Sequence, residues 1–208
     1  APGWCTSDVV PSPNVTGTAG GTFTSAPAGL AINGATGEIT PGTSTPGTYD
    51  VTYTTPGVCL DDSTIQVIIH PTPDVTPIPN ETVCVGTNFT AVNFTGTVAG
   101  TVFDWTNDNA NIGLAALGSG NIPAFAGQTT GGTIAGNIVV TPSTMFCTGA
   151  TETFTLTVND MDDPSFSYTP GLTYCQTAPD PITNITGLAG GTFSYTTVSG
   201  GPNLDINP

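Results

Sequence analysis

The chain has no basic side chains apart from a single histidine: its 208 residues include no lysine and no arginine, against 15 aspartates and glutamates. Its formal net charge is therefore −15 at pH 7. Nucleic-acid binding depends on basic side chains that neutralise phosphates, so this composition excludes a nucleic-acid partner. It also excludes a polybasic membrane-binding patch, a lysine nucleophile and a fold stabilised by ion pairs.

Strong helix-forming residues are also scarce, because lysine and arginine are absent and glutamate occurs only three times. No window shows a sustained helical apolar period, and no run approaches the roughly 18 apolar residues of a transmembrane helix. Instead, 41 threonines, 27 glycines and 19 prolines favour strands joined by turns. The predicted fold class is all-β, with no direct membrane insertion.

The five cysteines do not follow the spacing of a zinc site, and only one histidine accompanies them. Spaced cysteines in an acidic, threonine-rich chain instead indicate structural disulfides in an oxidising, extracellular compartment. The single histidine, His70, would have to serve any serine–histidine–aspartate site. It lies beside Pro71 without a nucleophile motif nearby, so we expect a solvent-exposed residue at a module junction.

The chain repeats part of its own sequence, because segment 5–23 recurs at 175–193. The residues that recur in register include Cys5, Thr16, Gly17, Gly20, Gly21, Thr22 and Phe23. Repetition over this length indicates an array of modules.

This register predicts how the chain is divided. Residues 1–70 form one repeat module that lacks its N-terminal strand, and 71–80 form a stiff proline-rich linker. Residues 81–159 form a second module, and 160–208 are the truncated start of a further repeat. We therefore expect the chain to begin inside one module and to end inside another.

Alternation of apolar and polar residues, together with turn residues, predicts the strands. Tyr49 and Tyr53 alternate with polar residues along one strand, and Phe103 and Trp105 share a face of another. We predict that all four rings pack in a core rather than form a sugar-stacking platform. The predicted strands are 21–24, 30–32, 38–40, 48–55 and 63–69 in the first module, and 91–95, 101–106, 136–141 and 152–158 in the second.

Segments of the first module resemble a known family. The sequences are GGTF at 20–23, PAGLAIN at 27–33, TGEI at 36–39 and PGTYDVTY at 46–53. They resemble the Ig-like, cadherin-like repeats of large bacterial surface proteins. The leading GGTF is similar to the version found in giant adhesins of Bacteroidetes, including gliding-motility adhesins.

The second module resembles a different repeat of the same proteins, the PKD-like module. The segments that carry this resemblance are FDWTN at 103–107, IGLA at 112–115 and GNIP at 120–123. The two resemblances cover nearly the whole chain. They imply tandem Ig-like and PKD-like β-sandwich modules in an elongated array, displayed on the cell surface after type 9 secretion.

The cysteines predict two disulfides from their positions in the modules. Cys5 and Cys59 bracket the first module, and Cys84 and Cys147 bracket the second. In each pair, one cysteine precedes the first core strand and the other lies in the loop before the last strand. We therefore predict the bonds Cys5–Cys59 and Cys84–Cys147, with Cys175 unpaired. The alternative is buried free thiols.

Calcium is the one cofactor that the sequence leaves open. Asp160, Asp162 and Asp163 lie at the second module junction, where carboxylates could hold a hard cation and stiffen the junction. A solvated acidic linker is the alternative. Adjacent carboxylates such as Asp61 and Asp62 point to opposite faces of an extended chain, which is poor geometry for acid–base catalysis. We predict no catalytic residue.

These features together predict a non-enzymatic, extracellular stalk segment of a bacterial surface adhesin, acting as a mechanical spacer. Its expected partners are neighbouring repeats of the same chain, a surface polysaccharide or other adhesive substrate, and the secretion machinery. Two alternatives stay open: a self-assembling filament or sheath subunit, and a carbohydrate-binding module array of a secreted hydrolase.

Overall fold

The computed structural model describes residues 2–9, 11–169, 182–186 and 191–192. Within these residues strands dominate, and the helical elements are two short 3-10 helices, Pro41–Thr43 and Ala110–Ile112. Neither is long or apolar enough to cross a membrane. The prediction of an all-β fold is confirmed. The chain divides into two compact units, residues 1–159 and residues 160–208.

Module one, our term for residues 1–70, contains a four-stranded sheet. Its strands are β1 (Gly3–Cys5), β2 (Thr22–Ala26), β3 (Gly47–Thr54) and β4 (Asp62–His70), in the order β1-β4-β3-β2. Strands β2, β3 and β4 pair antiparallel, whereas β1 runs parallel to β4. Tyr49 and Val51 of β3 are buried on one face together with Val67 and Ile69 of β4, as strand alternation requires.

The segment 30–40, which packs against this sheet, has little regular secondary structure. Leu30 and Ile39 are buried against the sheet, but the predicted strands at 30–32 and 38–40 reduce to a single bridge between Ile32 and Ile39. The reason is the tight turn at Asn33, whose side-chain oxygen accepts hydrogen bonds from the amides of Ala35 and Thr36. The arms on either side of this turn are too short for a ladder.

Module two, our term for residues 81–159, contains a five-stranded and a two-stranded sheet. The larger sheet is built from β5 (Glu81–Cys84), β7 (Val102–Asn107), β8 (Leu117–Ser119), β10 (Ile134–Ser143) and β11 (Glu152–Asn159), and the smaller from β6 (Asn88–Phe89) and β9 (Phe125–Ala126). The strand order of the larger sheet is β5-β11-β10-β7-β8. Its pairs are antiparallel except that β5 runs parallel to β11.

The core of module two contains the aromatic residues that the sequence placed there. Phe103 and Trp105 are only 9% and 6% exposed, which confirms both predictions. The indole N–H of Trp105 donates to the carbonyl of Gly120 over 3.0 Å, so the ring is buried without an unpaired donor. The predicted strand at 91–95 is limited to one bridge, between Val92 and Ile122.

The segment 71–80 has no strand, yet it is bonded along its length to module two. The amide of Thr76 donates to the carbonyl of Thr95 over 2.7 Å, and the amide of Thr155 donates to the side-chain oxygen of Asn80 over 2.7 Å. Pro73 is fully buried. These contacts fix the proline-rich segment to module two at several points.

Two aspartates with lowered pKa values make stability depend on pH. Hydrogen bonds from the amide and hydroxyl of Thr97 hold the pKa of Asp74 below its ordinary value of 3.8. The amide and side chain of Asn137 likewise lower the pKa of Asp108.

Because the folded pKa values lie below the unfolded ones, the stability that these bonds contribute is complete above pH 3.8 and is lost as pH falls through the folded values. Replacing both residues by asparagine should therefore flatten the acid limb of the stability profile, measured by urea unfolding at stepped pH. The variant Asp50→Asn, at an exposed strand position, is the control. An acid limb of unchanged slope in the double variant would contradict the assignment.

The second unit is described only in part. Its strands β12 (Phe166–Thr169) and β13 (Ile182–Ile185) pair antiparallel. Most of the predicted truncated repeat, including Cys175, lies outside the described residues.

Candidate functional site

A disulfide joins the two modules of the first unit. Cys5 of module one is bonded to Cys147 of module two, 142 residues further along the chain, with a Cα–Cα distance of 5.8 Å. This bond replaces the predicted pairings Cys5–Cys59 and Cys84–Cys147, which were wrong. Cys59 and Cys84 are instead free, exposed thiols.

The strand topology explains why the predicted bonds cannot form. Cys5 lies opposite His70, at the end of β4, whereas Cys59 precedes the start of β4. The nine residues of β4 span about 30 Å, and a disulfide needs Cα atoms within about 7 Å. The same argument holds in module two, where Cys84 lies opposite Asn159 at the end of β11 and Cys147 precedes its start.

Aromatic stacking and burial accompany the bond at this junction. The rings of His70 and Phe146 stack with centroids 4.2 Å apart and planes inclined by 16°. Cys5 is 9% exposed and Cys147 is 3% exposed, so the sulfurs are shielded from solvent. His70 is therefore a partly buried packing residue, which corrects the expectation of a solvent-exposed one.

Polar contacts complete the junction on the side of module one. The hydroxyl of Thr6 donates to the hydroxyl of Thr72 over 2.9 Å, and the amide of Thr72 donates back to Thr6 over 3.0 Å. The amide of Ser7 also donates to the Thr72 hydroxyl. These bonds anchor the residues after β1 to the start of segment 71–80.

Close backbone packing completes it on the side of module two. Gly149, in the loop between β10 and β11, lies so near Pro73 that a Cβ at this position would clash with the Pro73 carbonyl oxygen. Only glycine lets the loop approach the linker this closely. The junction thus combines a covalent bond, a ring stack and a closely packed loop.

An apolar cavity of about 470 Å³ lies against the sheet of module one. Its volume is within the range of small-molecule sites. The rings of Phe23 and Tyr53 contribute to its wall and pack with centroids 4.7 Å apart. The Tyr53 hydroxyl donates to the carbonyl of Thr18 and accepts from the amide of Gly21, which holds this ring in place. Trp4, for which the sequence analysis predicted no role, also lines the cavity.

Tyr49 and Tyr53, both predicted to lie in the core, differ in how deeply they are buried. Tyr49 is 3% exposed, as predicted, and its hydroxyl donates to the carbonyl of Thr45 over 2.5 Å. Tyr53 is only partly buried, because it borders the cavity.

The acidic residues proposed for calcium lie at the start of the second unit. The carboxylate of Asp163 accepts a hydrogen bond from the amide of Ser165 over 2.9 Å, and hydrogen bonds from Ser165 lower its pKa. Asp160 accepts from the amide of Met161, and Asp162 is exposed. Across the described residues, no group of three or more acidic, histidine or cysteine side chains is arranged to hold a metal ion. Calcium binding here stays a prediction.

No protein-family model matches this chain, and no curated protein matches it. Among solved structures, human CDH23 EC21-23 is similar at 13% identity, with 90% of this chain and 82% of that chain covered and a TM-score of 0.37. Mouse Cadherin-23 EC22-24 shares 9% identity over 72% of this chain and 56% of that chain, with a TM-score of 0.30.

The S-layer protein rSbsC(31-844) is similar at 19% identity and a TM-score of 0.28, with 74% of this chain covered. The chain spans 22% of that protein and 56% of the mouse Cadherin-23 fragment. Identities and TM-scores this low do not identify a family.

Proposed function

We propose that this chain is a non-enzymatic stalk segment of an extracellular bacterial adhesin, and that it acts as a mechanical spacer. The observation that carries the proposal is the junction at Cys5–Cys147, which joins consecutive modules covalently. A spacer must bear tension without its modules unfolding into fully extended chain. A disulfide across the junction supplies this limit, because the residues between the two cysteines cannot be drawn out while the bond is intact.

The charge of the chain supports the same role. With a net charge of −15 and no lysine or arginine, it cannot compensate its own negative charges. Mutual repulsion of this kind favours solubility and opposes collapse of one stretch of chain onto another. The absence of lysine and arginine also removes every site for trypsin-like proteases, which suits a protein exposed outside the cell.

The finer assignment rests on the sequence resemblance to Bacteroidetes adhesins of the gliding-motility type. Under this proposal the protein reaches the cell surface by type 9 secretion. Its partners are the adjoining repeats and a surface polysaccharide or other adhesive substrate. The junction serves this role by keeping the adhesive part of the molecule at a distance from the cell.

An antibody raised against residues 1–159 tests this proposal on cells of the source organism. We expect it to stain intact, unpermeabilised cells, since the segment is displayed outside. On immunoblots it should detect a polypeptide much larger than the 20.9 kDa of this chain. A band of 20.9 kDa that forms assemblies would favour the filament subunit instead, and staining only after permeabilisation would contradict both.

A further inference from the structure

The two modules can be aligned residue by residue on their first and last strands. Cys5 ends β1 and lies opposite His70, the last residue of β4. Cys84 ends β5 and lies opposite Asn159, the last residue of β11. In both modules the first strand runs parallel to the last one. Residues of β4 and β11 at equal distances from these two ends are therefore equivalent.

One position on the core face of these strands is covered in module two and open in module one. Phe154, five residues before the end of β11, is 1% exposed. Its equivalent Ile65, five residues before the end of β4, is 54% exposed. Ile65 lies on the core side of the sheet, because strand alternation places it on the same face as the buried Val67 and Ile69. An apolar side chain on the core face of module one is thus left half open to solvent.

In module two the cover comes from the chain that leads into the first strand. Segment 71–80 runs directly into β5, and its Val75 and Ile78 pack against the core of that module. Ile78 lines the same groove as Phe154, and residues 90–93 line it as well. The proline-rich segment therefore covers the core face of β11 at this position.

The cavity of module one lies at the place that this segment occupies in module two. It is lined by Ile65 and Val67 of β4 and by residues 11–18, which follow β1. The equivalent of Val67 is Leu156, which lines the groove that holds the proline-rich segment. Residues 90–93, which follow β5, line that groove in the same way. Equivalent walls thus enclose a segment of chain in one module and a cavity in the other.

The edge of β4 beside this cavity is also open. β1 pairs with only the last three residues of β4, and no other described strand pairs with β4 on that side. The amide of Ile68 donates to the carbonyl of Pro2 over 3.0 Å, and strand alternation turns the amide of Gln66 to the same edge. In module two the equivalent amide, that of Thr155, donates to the side-chain oxygen of Asn80 over 2.7 Å.

We propose that this cavity is a docking groove for an extended, uncharged, proline-containing segment that runs parallel to β4 and continues into β1. The occupant is the stretch of polypeptide ahead of β1 in the longer protein, with the chemistry of residues 75–80 (VTPIPN). Segment 71–80 of a second copy does not serve, because it is already bonded to its own module two. This inference rests on the proposed function in one respect, namely that the chain is part of a longer array.

The lining of the groove defines the chemistry of its occupant. Apolar side chains that include Trp4 and Ile65 require an apolar residue at the position that Ile78 has in module two. Asp61 and Asp62 also line the groove, so an acidic side chain there would be repelled. Prolines suit the segment, because an edge position leaves every second N–H without a partner and proline has no N–H to satisfy.

The test adds such a segment to the full-length chain. One variant carries the sequence PTPDVTPIPN of residues 71–80 in place of Ala1, directly ahead of Pro2, and a second carries the same addition with aspartate at its isoleucine. The extended and unextended chains are also compared with Ile65→Asp in both. The matched control is Val102→Asp in both, because Val102 is 49% exposed on a strand of module two.

We expect the extension to slow hydrogen exchange of the Gln66 amide by on the order of tenfold or more, since this edge becomes paired. Tryptophan fluorescence should shift to shorter wavelength, because Trp4 lines the groove and becomes covered. Both changes should persist with Val102→Asp. Both should be lost with Ile65→Asp, and also when the added isoleucine is replaced by aspartate.

Two results would overturn the proposal directly: unchanged exchange at Gln66 in the extended chain, or slowing that Ile65→Asp does not remove. Protection of Gln66 in the unextended chain that rises with protein concentration would also overturn it, because a second copy would then be the occupant. The antibody test on cells does not depend on any of these results. An extension that fails to bind and a segment that is not displayed outside the cell are therefore distinguishable.

Discussion

Replacing Cys5 and Cys147 together by alanine should lower the free energy of unfolding by about 4–5 kcal/mol. The bond closes a loop of 142 residues, and the loss of chain entropy in the unfolded state grows with loop length. A typical domain has only about 5–15 kcal/mol of stability, so the loss is a large fraction of the total. Urea unfolding monitored by tryptophan fluorescence measures it.

The two tryptophans allow each module to be followed separately. Trp4 lies in module one and Trp105 in module two, so Trp4→Phe leaves a reporter of module two alone. We expect both modules to lose stability in the alanine variant and to unfold at separate urea concentrations, because the junction no longer couples them. The matched control is Cys59→Ala with Cys84→Ala, which removes two exposed thiols and should leave stability unchanged. Equal losses in both variants would contradict a role for the junction bond.

The same bond should limit how far the chain extends under force. While it is intact, the 142-residue loop cannot be pulled out, which withholds about 500 Å of contour at about 3.5 Å per residue. Single-molecule stretching from the two termini should therefore show extension about 500 Å shorter in the oxidised chain than in the alanine variant. Equal extensions would mean that the bond does not carry load.

The sequence predicts the strands that alternate clearly, and it misses those that are too short to alternate. Strand β3 follows the alternation of TYDVTYTT and lies one residue from its predicted bounds. Strands β1 and β5 have three and four residues, so they contain at most two periods of alternation and produce no detectable signal. Both run parallel to the last strand of their module, a pairing that no local pattern encodes.

The wrong disulfide prediction follows from these missed strands. Without β1, nothing in the sequence locates Cys5 at one end of β4 and Cys59 at the other. Spacing along the chain then favours pairs within a module, whereas the fold brings together cysteines of different modules. The stacking of His70 on Phe146 was missed for the same reason, since these rings are 76 positions apart in the sequence and meet only across the junction. The cavity beside Tyr53 is lined in part by residues 11–18, which form no strand. Composition does not predict how such a segment packs on the sheet.

A buried asparagine ends strand β7, and a change of one atom in its side chain should be costly. Asn107 is 5% exposed. Its side-chain amide donates to the carbonyls of Asn109, Leu114 and Ala115 over 3.1, 3.0 and 3.3 Å. Its oxygen accepts from the amide of Asn109 over 3.0 Å. These bonds join β7 to the segment 112–115, so the side chain connects two stretches that carry the PKD-like resemblance.

Asn107→Asp preserves the shape of the side chain but replaces the donor by a second acceptor. A carboxylate oxygen would then face carbonyl oxygens in a buried site, and the charge would be buried without a partner. We expect a loss of about 3 kcal/mol or more at pH 7, since an unpaired buried polar group costs about 1–3 kcal/mol and a charge costs more. The measurement is urea unfolding of both proteins, with the exposed Asn111→Asp as the control of equal charge.

The pH dependence of this loss separates a buried charge from a simple packing defect. Burial raises the pKa of the new carboxyl above its unfolded value, so the folded variant binds the proton more tightly than the unfolded chain does. The difference in stability between parent and variant should therefore shrink as pH falls through the raised pKa, because the protonated group donates one hydrogen bond again. The difference for Asn111→Asp should stay near zero throughout. A loss at Asn107 that is independent of pH would mean that the carboxyl is solvated, and that the three backbone carbonyls do not depend on the amide for their hydrogen bonds.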